Sequence, residues 1–387
     1  MKKLTCVFCF EKFYPKDIKF RCINENPSAC EYEEDKGLQK YQGKNLPKLQ
    51  KIVSPVSSFR MPRKAICSCG METTKMICPI CHNELPNGFG EDDNLIIALI
   101  GAKEVGKSHY IAVLIHELQH RIGTAFEISM VARNEKTIKR YNEDFEKYIY
   151  RNSKVIPATL SGKAQINVRY PLIYKLSIRK KQCGVMRKKI ANLVFFDTAG
   201  EDLSDQQIME TTNKYISNSG GLIFLLDPLQ TNYVRQEVPS SIVKPINNID
   251  QFEIINRVIN LIRKEKSIRG RRKIKIPVAV SFSKLDCLKG IIDPLLLSSS
   301  NHNGYLDIND VENVNSLFYS YLGKWLGPNF LTTMKDYFKT YSFFGLSALG
   351  DSPDLSGNIN RGVNPFRIED PLLWILSQKG FISKKKI

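Results

Sequence analysis

Between Gly101 and Ser108 the chain reads GAKEVGKS, which matches the pattern G-x-x-x-x-G-K-S. Glycines at both ends let the backbone turn so that successive amide hydrogens point inward, and a following helix adds its positive N-terminal end; such a nest suits phosphate. Lys107 is expected to reach the outer phosphates, and the Ser108 hydroxyl to take one Mg²⁺ coordination position. Ala102, Lys103, Glu104, Val105, Gly106 and His109 are counted with the same site. Lys103 either touches the phosphates from within the loop or stands outward in solvent, the commoner state of a lysine.

Three later stretches narrow the ligand. LVFFDTAGED places Asp197 at the end of an apolar strand, where a carboxylate can hold Mg²⁺ through water, and Gly200 follows with a backbone amide for a terminal phosphate. VAVSFSKLD ends another buried strand with Ser283, Lys284 and Asp286. Guanine offers two adjacent donors, the ring N1–H and the exocyclic amine, which one carboxylate accepts together; adenine cannot match that. Asp286 is therefore expected to read the base, with Lys284 lying along the ring. LSALG then supplies Ser347, Ala348 and Leu349, whose backbone can meet the guanine carbonyl.

These four segments, in this order and on these strand ends, resemble the nucleotide-binding set of the Ras-like and translation-factor class of P-loop GTPases, over about residues 94 to 380. With the cysteine-rich front, FLLDPLQ and the terminal DPLLWIL, the chain looks like the bacterial double-GTPase proteins assigned to multi-gene conflict systems. The resemblance implies a first switch whose threonine completes the Mg²⁺ shell, and Thr159 in VIPATLSGK is the candidate; plain turn chemistry is the alternative there. It implies catalysis resting on Lys107, Thr159, Gly200 and the residue after DTAG. That residue is Glu201 where many relatives carry glutamine, and its charge beside a phosphate is unfavourable, so intrinsic hydrolysis is expected to be slow. Ser283 stands where relatives carry Asn or Thr, a shorter hydroxyl that keeps some loop contact and weakens base binding.

Eight of the ten cysteines fall before residue 82, a domain boundary written in composition. Thiolate-bound zinc wants four sulfurs in a tetrahedron, and short Cys turns deliver two each, so eight sulfurs make two sites arithmetically possible. The nearest-neighbour expectation joins Cys6 and Cys9 with Cys22 and Cys30, and Cys67, Cys69, Cys78 and Cys81 with one another. CSC is tighter than the usual spacer, which leaves His82 as an alternative ligand to Cys67. A segment this short and poor in large aliphatics needs the metal's binding energy to fold. Residues 1–90 are thus read as a zinc-ribbon-like unit and 91–387 as the GTPase domain.

The elements that must position these residues follow from the pattern. NLIIALI is a buried strand ahead of the phosphate loop, and YIAVLIHEL recurs at helical spacing behind it. EKTIKRYNEDFEKYIYRN and QFEIINRVINLIRKEKS read as helices, and INVRYPLIYKLSIRKK, IANLVFFDTAG, GGLIFLLDPL, KIPVAVSFSKLD and YSFFGLSALG as strands. DPLLWILSQKG closes as a helix, with Pro near its start and Gly past its end. Strands alternating with helices imply an α/β fold with a mostly parallel sheet covered on both faces.

With 25% charged and 42% apolar residues the chain is globular rather than disordered. Its net charge of +18 attracts polyanions: nucleic acid, anionic lipid or an acidic protein; a coding bias toward lysine would produce the same excess on solvated faces. The apolar runs fall short of a membrane span, and MKKLTCVFC lacks the apolar stretch of a secretory signal, so a cytoplasmic location is expected. Two functions remain in contention. One is a cytosolic GTP/GDP switch with protein partners from its own system; the other is a GTP-binding module with little turnover whose zinc unit and basic surface hold nucleic acid or protein. An ATP-driven motor is disfavoured, because SKLD has no role in one.

Overall fold

The computed structural model describes residues 3–55, 61–157, 170–182, 185–196, 206–240, 242, 244–245 and 250–386. Its centre is a seven-stranded sheet of β1 (Asp93–Ile100), β2 (Ile128–Ala132), β3 (Leu172–Gln182), β4 (Val185–Phe195), β5 (Gly221–Leu226), β6 (Val278–Phe282) and β7 (Tyr341–Gly345), in spatial order β2-β3-β4-β1-β5-β6-β7. Pairing is parallel from β4 through β7, with Leu95 beside Leu193 and Leu99 beside Ile223, and antiparallel across β2, β3 and β4. The mostly parallel sheet read from the sequence is present, with an antiparallel flank on one side.

The central strands are apolar at nearly every position, buried Ser281 of β6 being an exception, because helices cover both faces. Leu95–Ile100, Gly221–Leu226 and Val278–Phe282 are buried throughout. The covering helices are α1 (Lys107–Gln119), α2 (Gln206–Ser217), α3 (Gln251–Glu265), α4 (Ile308–Trp325), α5 (Pro328–Tyr337) and α6 (Asp370–Gln378). Phe282 packs on Phe318 and Trp325 of α4, whereas Phe344 on the opposite face meets Trp374 of α6. The stretch read as one long helix is a regular turn at Glu135–Tyr141 that widens into a π-type coil over Asn142–Arg151.

Beneath α6 lies a buried polar cluster. The Arg367 guanidinium donates to Asp310 at 2.9 Å and to Asp370 at 3.0 Å, while Arg121 grips Glu369 with two bonds. Burial pushes the Asp370 carboxyl up to about 8 in spite of Arg367.

Ahead of the sheet, residues 4–89 are built from two- and three-residue strands. Lys19–Arg21 lies between Ile52–Val53 and Met76–Ile77, and a short helix, Lys36–Gln42, is capped by Asp35. Aromatic contacts join this unit to the sheet in one continuous core. Phe8 meets Tyr170 edge-on at 5.5 Å, and Phe10 sits between Phe196 and Tyr215.

Candidate functional site

The phosphate loop links the end of β1 to the start of α1. A side chain at Gly101 would collide with the Leu225 carbonyl at 2.6 Å, and Gly106 adopts a φ of 93°, so the two glycines are fixed by close approach and by a left-handed turn respectively. The Lys107 ammonium reaches back over the loop and donates to the carbonyls of Gly101 at 2.8 Å and Ala102 at 2.7 Å. Ser108 follows in the first turn of α1, where backbone N–H groups lack intrahelical partners. Lys103 and Glu104 are exposed, and Val105 is fully buried.

Beside the phosphate loop, the loops after β6 and β7 come together. The Ser283 hydroxyl, 4% exposed, donates to the Val105 carbonyl at 2.8 Å, tying the strand end that carries Lys284 and Asp286 to the phosphate loop. The Ser347 hydroxyl donates to one oxygen of Asp286, and that of Ser352 to the other at 3.2 Å, so the carboxylate is held in one orientation. Lys284, in a left-handed turn at φ 55°, pairs with the buried Asp227 carboxylate at 2.6 Å. Ser352 belongs to none of the sequence motifs, and Asp227 and Gly350, whose N–H meets Ser347 Oγ at 2.8 Å, lie in FLLDPLQ and LSALG without a role of their own read there. The one signal for any of them is Asp227's place at the end of the apolar run in FLLDPLQ. The Ser347 backbone N–H is committed to the Phe366 carbonyl at 3.1 Å, so that residue acts through its hydroxyl. His109 is half-buried, and its Nε2 accepts the Ile156 N–H at 3.0 Å. Burial together with the Lys284 charge holds the imidazole down to about 4.

Thr159, Asp197, Gly200 and Glu201 lie outside the described residues. The flanks of the Asp197 segment are defined. Phe196 directly follows β4, and α2 comes after the segment, with Tyr215 accepting the Leu99 N–H at 3.2 Å.

The cysteines form two clusters, and their pairing corrects the nearest-neighbour expectation. Cys6 and Cys9 join Cys78 and Cys81, and Cys22 and Cys30 join Cys67 and Cys69. The reason is long-range: Met76–Ile77 pairs with Lys19–Phe20, which carries the CPIC turn back to the first CVFC turn and leaves the inner four sulfurs to each other. Sulfur separations are 3.8 Å for Cys6–Cys81, 3.9 Å for Cys9–Cys78, 3.7 Å for Cys22–Cys69 and 3.7 Å for Cys30–Cys67. Four thiolates at a zinc–sulfur distance of about 2.3 Å are separated by about 3.8 Å along a tetrahedron's edges, so both sets fit Zn²⁺. Backbone N–H groups of Phe8 and Ile80 point at Cys6 and Cys78 sulfur at 3.3 and 3.4 Å, and Phe10 and His82, each following the second Cys of its pair, share the same left-handed turn. Cys67 stands in the second cluster despite its tight spacing. His82 stands outside both sets of four sulfurs, and its Nδ1 meets the buried Asp35 carboxylate at 2.6 Å.

A phosphate-type loop on the first parallel strand, a carboxylate held at the end of β6, and this strand order together define a P-loop protein of the guanine-nucleotide-binding kind. The chain belongs to the Double-GTPase 2 family, whose profile matches residues 95–314. It is 28% identical over 326 residues to a Mycolicibacterium smegmatis protein described as "Putative ESX-1 scaffolding and assembly protein SaeC", covering 79% of this chain and 80% of that one. It is also similar to two crystal structures of the Saccharomyces cerevisiae Ski7 GTPase-like domain, one with GDP and inorganic phosphate and one with GTP. Identities are 15% and 16%, with TM-scores of 0.30 and 0.31 over 75% of this chain. The chain spans about half the length of those solved structures. Among the described residues, no helix is long and apolar enough to cross a membrane.

Proposed function

We propose that the protein is a Mg²⁺-dependent GTPase working as a nucleotide-controlled switch. The observation that carries this reading is the Ser283–Val105 hydrogen bond, which locks the base-reading strand end to the phosphate loop at a fixed spacing. Lys107 then serves the phosphate end of one ligand and Asp286 its base. Asp286 takes the N1–H and exocyclic amine of guanine, and the Ala348 and Leu349 backbone faces the guanine carbonyl. Ser108, with Thr159 and Asp197, would hold Mg²⁺, which offsets negative charge on the outer phosphates. Water would attack the terminal phosphorus in line as the bond to the bridging oxygen breaks, giving GDP, inorganic phosphate and a proton; Lys107 and the Gly200 amide would stabilise the oxygens, and Glu201 stands in the sequence where a water-orienting residue is expected. The charge of Glu201 makes turnover slow without a partner's contribution.

A single-turnover assay tests this. Purified protein with Mg²⁺ and radiolabelled GTP should release phosphate, ATP should not compete, and Lys107→Ala should lower the rate by about 100-fold or more. GTP binding without hydrolysis in the presence of candidate partners would move the reading to a scaffold.

That second reading has two supports. The M. smegmatis relative is described as a scaffolding and assembly protein, which favours a protein partner as the switch's output. Eight cations between Arg263 and Lys275, against the single acid Glu265, also form an ordered basic platform suited to a polyanion such as nucleic acid. Here Arg263 donates to the carbonyls of Arg272 and Gly270 and fixes the loop. We place the protein in the cytoplasm, with two zinc ions in the 1–90 unit and the nucleotide in the 91–387 domain.

A further inference from the structure

Hydrogen bonds close a ring around the base end of the cleft. His109 Nε2 takes the Ile156 N–H at 3.0 Å; one residue earlier, the Val155 N–H donates to the Gly357 carbonyl at 2.9 Å, and the Ile359 N–H to the Ser153 carbonyl at 2.7 Å. Asp354 shapes the loop that carries Gly357, accepting the N–H groups of Ser356 at 2.9 Å and Asn358 at 2.8 Å. Two residues upstream of Asp354, the Ser352 hydroxyl returns to Asp286. The circuit therefore runs from the phosphate loop through 153–156, across to 352–359, back to the base-reading carboxylate, and through Ser283 to the phosphate loop again.

A nucleotide bound between Lys107 and Asp286 would lie against that circuit. Two of its bonds, Val155–Gly357 and Ile359–Ser153, run backbone to backbone, whereas His109, Ser283, Ser352 and Asp354 each contribute a side chain. Among these, the His109 bond ties α1 to residues 153–156, and a single substitution removes it. The imidazole suits this role, since accepting through Nε2 requires it to be neutral, and burial beside Lys284 keeps it so. The position is otherwise filler in the GAKEVGKS pattern, the first residue past its end.

We infer that His109 is a positioning residue that retains bound guanine nucleotide by clamping residues 153–156 over the base end of the site. The role rests on the guanine-nucleotide reading above and deepens it: the protein holds GDP after hydrolysis, and its resetting is governed by the opening of this clasp. Losing the bond strips a partly buried N–H of its acceptor as well as freeing the segment.

The experiment is release of a fluorescent GDP analogue from the full chain, chased with excess GDP, for the native protein and two variants. His109→Leu keeps the side chain's bulk without an acceptor and should release about tenfold faster. His109→Gln restores an oxygen near the Nε2 position and should return release to within about twofold of native, a rescue that mere packing would not give. Native release should be flat between pH 6 and 8, since the imidazole titrates near 4. If native protein binds the analogue but His109→Leu releases it at the native rate, or His109→Gln is as fast as His109→Leu, the clasp is overturned while guanine-nucleotide binding stands. If native protein binds no guanine nucleotide, the underlying reading falls with it. Equal melting temperatures for the three proteins establish that the change is local.

Discussion

On the proposed reading Lys107 serves the phosphates and Asp286 the base, and the second role is open to a single-group test. Asp286 is oriented by the hydroxyls of Ser347 and Ser352, so its geometry survives replacement by an amide better than that of an unsupported carboxylate would. Asp286→Asn should weaken GTP roughly 10- to 100-fold and improve binding of xanthosine triphosphate, whose base carries an acceptor where guanine carries the amine. Competition binding with the two nucleotides measures this, and an unchanged preference would remove Asp286 from base reading. The motifs that carry Lys107, Lys284 and Asp286 were legible in the sequence because each is contiguous, and the roles proposed for them follow from residue type. The partners that hold them were not: Asp227 lies 57 residues from Lys284 and Ser352 lies 66 from Asp286, distances that only the fold closes. Ser283, read as a shortened base-loop contact, makes the loop contact through its hydroxyl at 2.8 Å.

Among elements, the buried parallel strands declared themselves by unbroken apolar runs, while those at the margins did not. β2 alternates buried and exposed residues over five positions at the sheet's edge, too short a pattern to stand out. α4 and α5 carry enough Asn, Ser and Thr to blur their apolar stripe. The start of α6 shows why a loop-like sequence, NPFRIEDP, is fixed in place. Burial, reinforced by the neighbouring Glu369 and Asp310 charges, keeps the proton on Asp370 in spite of Arg367. Its folded pKa of about 8 lies above the ordinary carboxyl value. That contribution to stability is therefore complete below about pH 4 and is lost as pH rises toward 8. Chemical denaturation should show stability falling between pH 5 and pH 8, and Asp370→Asn, which stays neutral, should flatten that slope. An identical slope in the variant would assign the titration elsewhere.

Across the whole molecule the cysteine clusters and the sheet are one structural problem. That the eight cysteines divide into two sets of four was readable from spacing, but the interleaving of the sets was not, because it is decided by the pairing of Lys19–Phe20 with the distant Met76–Ile77. Interleaving makes a sharp expectation for metal analysis. Native protein should carry about two zinc ions per chain. Cys6→Ser and Cys78→Ser should each lose the same one, and Cys22→Ser and Cys67→Ser the other, whereas sequential pairing would put Cys6 and Cys22 together. Chelation should unfold residues 4–89 and, through the shared core, lower the melting temperature of the nucleotide domain.

The packing of Phe10 against both Phe196 and Tyr215, which also meet each other at 5.4 Å, has a mechanical corollary. Phe196 immediately precedes Asp197 and Tyr215 belongs to α2, so the cysteine-rich unit rests on both flanks of the segment to which the proposed function gives magnesium. On that reading, a partner gripping the cysteine-rich end would load both flanks together. A docking event there would thus be felt at the triphosphate without any wire through the interior of the sheet.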